Sequence, residues 1–151
     1  MSLIYWAKEG NLEEVRKCIK QGADVNTNKG LHVYTALTWT VVRGHSEIAK
    51  LLLENGAEIE AKDSNCTALM WAAVNGNPDI VNLLLENGAH IERKCINGGT
   101  ALWFAAAWGH MGIVKMLKDE IERRKHLKMA RYTFLRHTNF DLAQEIALRT
   151  N

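Results

Sequence analysis

Apolar residues along this chain fall into two kinds of run. One is built from small and aromatic residues, as in Ala68-Leu69-Met70-Trp71-Ala72-Ala73 and Ala101-Leu102-Trp103-Phe104-Ala105-Ala106. The other is leucine-rich, as in Ile48-Ala49-Lys50-Leu51-Leu52-Leu53 and Ile80-Val81-Asn82-Leu83-Leu84-Leu85. At helical spacing the second kind presents a broad apolar face. The two alternate, and a lone glycine separates them: Gly10, Gly44, Gly76 and Gly109. The pattern therefore predicts pairs of short helices. A glycine ends the first helix, because the left-handed conformation carries no Cβ penalty there. Asn77 and Pro78 start the second helix of their pair as cap and first helical residue. Asn11 with Glu14 forms a capping-box-like pair at the same place earlier in the chain.

Three markers share one period. Thr-Ala-Leu opens at 35, 67 and 100; the lone glycine recurs every 32 to 34 residues; Gly-Ala-x-(Val/Ile) closes at Gly22-Ala23-Asp24-Val25, Gly56-Ala57-Glu58-Ile59 and Gly88-Ala89-His90-Ile91. A period near 33 residues marks a repeat architecture. One helix pair is too small to bury its own apolar face, so each must stack on its neighbours.

These residues resemble the ankyrin repeat, whose pattern is Thr-Pro-Leu-His-x-Ala-Ala-x-x-Gly-His, then an apolar helix, then Leu-Leu-x-x-Gly-Ala-Asp-Val-Asn. Thr35 to Ile59 and Thr67 to Ile91 match it best, and the resemblance covers residues 2–118. The family's proline is Ala36, Ala68 and Ala101 here, and its histidine is replaced by Thr38, Met70 and Trp103. Those replacements are expected to weaken the turn and the hydrogen bond that the histidine makes. The resemblance implies an all-α solenoid of stacked helix-turn-helix units, about four repeats with a helical C-terminal cap. The units fall at about 2–34, 35–66, 67–99 and 100–133, with a cap or half-repeat at 134–151. The first unit lacks Thr-Ala-Leu, and its polar second helix suits an N-terminal cap. The fourth lacks its closing glycine, since Ile121 stands where that residue is expected. A long helix to about residue 128 follows, and Thr138 or Asn139 then caps a degenerate first helix. This last stretch reads either as a half-repeat covering the open end or as the stub of a longer array.

Composition changes this picture little. The 151 residues suit one domain, with 47% hydrophobic and 24% charged residues and a formal charge of +2. No apolar run reaches the roughly 20 residues that span a bilayer, and the N-terminus lacks a signal-peptide pattern. Cys18, Cys66 and Cys95 are odd in number and contain no CxxC pair, which speaks against a disulfide framework or zinc knuckle. Reduced thiols fit the cytoplasm, or the nucleus.

No catalytic constellation, metal site or cofactor motif is expected. His45 and His110 follow the inter-helix glycine, where the family places a structural histidine. The residue five before each such glycine is Tyr5, Trp39, Trp71 or Phe104. In the family this position is variable and lies on the first helix, whose outer face lines a concave groove. Four aromatic rings in register either fill space between adjacent first helices or form a binding strip, since such rings give much contact area at low entropic cost. The resemblance adds the rim positions Arg43, Asn75 and Trp108, and the first finger with Leu31 and Tyr34. Its implied function is binding of a partner protein or peptide, without catalysis, by a monomeric scaffold, adaptor or targeting domain. Two other readings remain open. One is contact with nucleic acid or anionic lipid through the basic segment 123–136, with nucleic acid ranked low because no aromatics interleave for base stacking. The other is a recognition arm of a larger enzyme or effector.

Overall fold

The computed structural model of the protein describes residues 2–27, 34–61 and 66–149. Among these residues eight helices follow in order: α1 (Leu3–Glu9), α2 (Leu12–Lys20), α3 (Ala36–Arg43), α4 (Ser46–Glu54), α5 (Ala68–Asn75), α6 (Pro78–Glu86), α7 (Ala101–Ala107) and α8 (Met111–Arg149). They form four helix pairs at the period read from the sequence, and the fold is an all-α repeat. The chain divides into two units, Met1–Leu117 and Lys118–Asn151.

Side-chain caps set the starts of most helices in the first unit. Asn11 Oδ1 accepts from the Glu14 N–H (3.1 Å), Thr35 Oγ1 from Thr38, Thr67 Oγ1 from Met70, Asn77 Oδ1 from Ile80 and Thr100 Oγ1 from Trp103. Each satisfies a backbone donor that the first turn leaves open. The family's missing histidine has local substitutes in two units. The Thr38 hydroxyl bonds the Thr35 hydroxyl (3.1 Å), and the Met70 sulfur accepts from the Thr67 N–H (3.4 Å). The expected weakening of the turn is thus partly made good within α3 and α5.

First helices stack in one layer, with α1 on α3, α3 on α5 and α5 on α7; the second layer runs α2, α4, α6. Between the layers lie Val15, Leu37, Val41, Leu52, Leu69, Met70, Ile80, Leu84 and Leu117, all essentially inaccessible to water. Neighbouring units are also tied through their connecting turns. The Asn26 amide donates to the Gly56 carbonyl (3.0 Å), and its oxygen accepts from the Glu58 N–H (2.7 Å). One repeat later Glu60 accepts from the His90 N–H (2.9 Å) and from Arg93 (3.2 Å).

Beyond Leu117 the structure corrects an expectation. The helix does not stop near residue 128, and neither Thr138 nor Asn139 starts a new one: α8 runs unbroken to Arg149. Within 134–149 no break therefore separates α8 from a further helix. No glycine or proline follows Gly112, and the threonine hydroxyls point backwards. Thr133 donates to the Met129 carbonyl and Thr138 to the Leu135 carbonyl, both at 3.0 Å. A hydroxyl bonded to the preceding turn is not free to cap the following one.

Within the second unit, Glu120 accepts two bonds from Arg123, both 2.6 Å, and one from Arg124 at 2.7 Å. Glu122 pairs with Lys125 at 2.9 Å. The Glu120–Arg124 pair spans one helical turn at i,i+4, and the fork on Arg123 sits at i,i+3. Chiefly the Arg123 hydrogen bond, helped by Arg124, holds the Glu120 carboxyl down at about 2. A depressed folded-state value favours the ordered helix above the ordinary carboxylate range and loses that contribution as pH falls toward 2. Carbon-detected NMR titration should find the Glu120 carboxyl changing near pH 2, and in Arg123→Lys that midpoint should rise. A midpoint in the ordinary range near 4.5 would show that the fork does not hold in solution.

Candidate functional site

The first helices place Tyr5, Trp39, Trp71 and Phe104 at one register position on α1, α3, α5 and α7. Their neighbours on each helix decide this. Ala36, Leu37, Thr40 and Val41 on α3, and Ala68, Leu69, Ala72 and Ala73 on α5, are buried and turn inward. The ring between them is left partly outside. Trp39, Trp71 and Phe104 are half-buried, and Tyr5 is 43% exposed. None belongs to the core.

Tyr34, just before α3, joins two of these rungs. Its ring meets Trp39 edge-on at 5.2 Å and 79°, and Trp71 at 5.6 Å and 88°. Such T-shaped contacts align the positive edge of one ring with the negative face of another. Two cations lie over one ring: Lys8 Nζ is 4.7 Å from the centre of the Trp39 ring and the Arg43 guanidinium 5.9 Å. Both distances fall within cation–π range. The Nε1–H groups of Trp39 and Trp71 are buried and have no hydrogen-bond acceptor among the described residues. A buried donor left unpaired costs about 1–3 kcal/mol.

The rim residues divide by role. Arg43 is exposed and leans on Trp39. Asn75 is exposed, but its amide donates to the Val42 carbonyl of the preceding unit (3.2 Å), so one of its functions is to join units. Trp108 is 63% exposed, as its place before the inter-helix glycine implied. Leu31 lies outside the described residues. At the fourth unit Trp103 packs edge-on against Phe104 (5.0 Å, 83°) and is itself 59% exposed. These rings, with Cys95, Asn97, Gly98 and Gly99, line a cleft of about 340 Å³.

Sequence reasoning passed over Lys8 and Trp103. A signal for Lys8 was present, because it occupies in the first unit the position that Val42 and Val74 hold later. Trp103 was seen only as a departure from the family's histidine. Its exposure follows from its place on α7, on which, among the described residues, no further first helix packs as α5 packs on α3.

The two histidines join units. His45 Nε2–H donates to the Lys8 carbonyl (3.2 Å) and His110 Nε2–H to the Val74 carbonyl (3.0 Å). The intervening unit has Asn77 there, whose side chain caps α6, and Asn75 makes its link to the unit before. The His45 bond also anchors the backbone that carries Lys8. Cys18, Cys66 and Cys95 are free thiols. Burial, followed by the neighbouring Cys95, pushes the Cys66 thiol up, which lowers its thiolate fraction and makes it a poor nucleophile. Among the described residues no three His, Cys, Asp or Glu side chains gather as metal ligands would, and no helix is long and apolar enough to cross a membrane.

Comparison with known proteins agrees with this architecture. The family model for ankyrin repeats (3 copies) matches residues 3–95 and 64–129. Ankyrin repeat domain-containing protein 40 of mouse is 35% identical over 51 residues, which is 34% of this chain and 14% of that protein; the human protein of that name gives the same figures. The acyl-CoA-binding domain-containing protein 6 homolog of Dictyostelium discoideum is 39% identical over 57 residues, 38% of this chain and 20% of that protein. The matched stretches thus span no more than a fifth of these relatives. With four stacked helix pairs at a 33-residue period and a family match over more than half its length, the chain belongs to the ankyrin repeat family.

Proposed function

We propose that this protein captures a segment of a partner protein on the face carrying Tyr5, Trp39, Trp71 and Phe104, with Tyr34, Arg43, Asn75 and Trp108 around it. Ankyrin repeats are in general protein–protein interaction modules. The observation that supports this particular face is the half-buried Tyr34–Trp39–Trp71 cluster. Rings serving only as filler would be fully enclosed, as Leu69 and Met70 beside Trp71 are. Aromatic residues at the centre of a desolvated patch commonly carry most of an interface's energy.

The reading assigns the chain binding without catalysis, as a scaffold, adaptor or targeting domain in cytoplasm or nucleus, monomeric in isolation. The basic segment 123–136 supports a nucleic-acid or lipid role less well. Arg123, Arg124 and Lys125 are engaged by Glu120 and Glu122. At 100° per residue, Leu127, Met129, Tyr132, Phe134 and Leu135 scatter around the helix and form no single apolar face for a bilayer surface.

The test is selection of displayed peptides of about 12 residues on the intact chain, followed by affinity measurement for synthesised winners. The double variant Trp39→Ala/Trp71→Ala should weaken binding about 30-fold, equal to about 2 kcal/mol, with its helical circular dichroism retained. Unchanged affinity would remove this face from consideration. Loss of the helical signal would show that the rings belong to the fold.

A further inference from the structure

We infer that the segment held on this face is acidic, with a carboxylate seated between Lys8 and Arg43 at the Trp39 ring. The inference rests on the binding face proposed above and adds the chemistry of its occupant. Lys8 and Arg43 come from different repeats, α1 and α3, yet converge on one indole at 4.7 Å and 5.9 Å. Among the described residues neither makes an ion pair; those present are Lys17–Glu14, Arg93–Glu60, Arg123–Glu120, Arg124–Glu120 and Lys125–Glu122. Glu9, at the rim position of the first unit that Arg43 holds in the second, pairs with neither.

Two charged side chains elsewhere in the stack are answered. Glu60 accepts from His90 and Arg93, and Glu14 accepts from Lys17. At Trp39 the balance is one-sided: an ammonium and a guanidinium, both donors. A carboxylate is the group that such a set recognises. It accepts from Lys and Arg together, and against the low-dielectric wall of Tyr34, Trp39 and Trp71 such charge-assisted bonds are stronger than in bulk water. A basic segment would meet two like charges, and a purely apolar one would cover both cations without pairing them, which carries a desolvation cost. His45 holds the Lys8 backbone from below, so the Lys8 stem reaches the ring from a fixed base.

The experiment uses the same displayed peptides on the intact chain, with those retained by Trp39→Ala/Trp71→Ala removed. The expected pool is enriched in Asp and Glu beside an apolar or aromatic residue. For a synthesised winner, Lys8→Gln/Arg43→Gln should weaken binding about tenfold. The double substitution should also flatten the loss of affinity seen between about 50 mM and about 500 mM salt. It leaves the Lys8 carbonyl that His45 binds in place, so the thermal transition should fall by no more than the loss of two surface cation–π contacts implies. The reversed pair, Lys8→Glu/Arg43→Glu with a peptide whose acids are lysines, should recover the lost affinity. A pool without acidic enrichment, or equal affinity for Lys8→Gln/Arg43→Gln, overturns the acidic occupant and leaves the aromatic face standing. If that removal empties the pool, because every selected peptide binds the Trp39→Ala/Trp71→Ala variant as tightly as the intact chain, both readings are overturned.

Discussion

Replacing Leu84 by alanine should destabilise the protein by about 3–4 kcal/mol, the cost of deleting a fully buried leucine from a packed interior. Leu84 is 0% exposed on α6, which packs against α5 of its own unit and α4 of the unit before. The lost methyl groups leave a cavity that cannot close by local movement, because the Leu84 carbonyl is also the acceptor for the Ala89 N–H (3.0 Å) that terminates the helix. Its neighbour Leu83 is only half-buried, so Leu83→Ala should cost about 1–2 kcal/mol. Urea denaturation followed by circular dichroism measures both. With a total stability on the order of 5–15 kcal/mol, the first change removes a large fraction of the margin. Equal costs at the two positions would mean that the inter-layer packing is not as described.

Gly76→Ala should be the next most damaging change, at about 3 kcal/mol. Two effects add. Gly76 has φ 68, where an added Cβ costs about 1 kcal/mol. That Cβ would also run into the His110 imidazole. The ring would have to leave the Val74 carbonyl, which leaves a part-buried donor and acceptor unpaired at about 1–3 kcal/mol. Gly88 provides the comparison. Its φ is 87, but nothing lies within 4 Å of its would-be Cβ, so Gly88→Ala should cost only the backbone share. In Gly76→Ala/His110→Ala the collision is gone, and the double change should cost less than the sum of the single ones. Additive costs would show that glycine is required there for its backbone alone.

This pair of glycines shows where sequence reading stopped. All the inter-helix glycines look alike in the chain, and each was expected to close a helix in the left-handed conformation, which Gly10, Gly44 and Gly76 do. Gly10 and Gly76, however, also face a histidine from the next unit, while Gly44 faces Asn77 at a comfortable 3.6 Å. The candidate site follows the same division. Its aromatic residues were legible because they recur at one offset from the glycine. That Tyr34 bridges Trp39 and Trp71, or that Lys8 and Arg43 share one ring, depends on contacts between units and is written at no fixed spacing. The length of α8 was misjudged because Thr138-Asn139 reads as a cap, yet a cap works only if the preceding backbone leaves the helix, and nothing there makes it do so.

By itself, then, the sequence determined the repeat, the helix pairs, their caps and the layer in which each apolar run is buried, since all of these rest on periodicity and local backbone chemistry. Only the tertiary structure decided which of two equivalent residues joins neighbouring units, which aromatic rings stay partly open, and where two cations meet without a carboxylate. Those outcomes come from side chains more than 30 positions apart, and a distance of that kind is set by how the units stack.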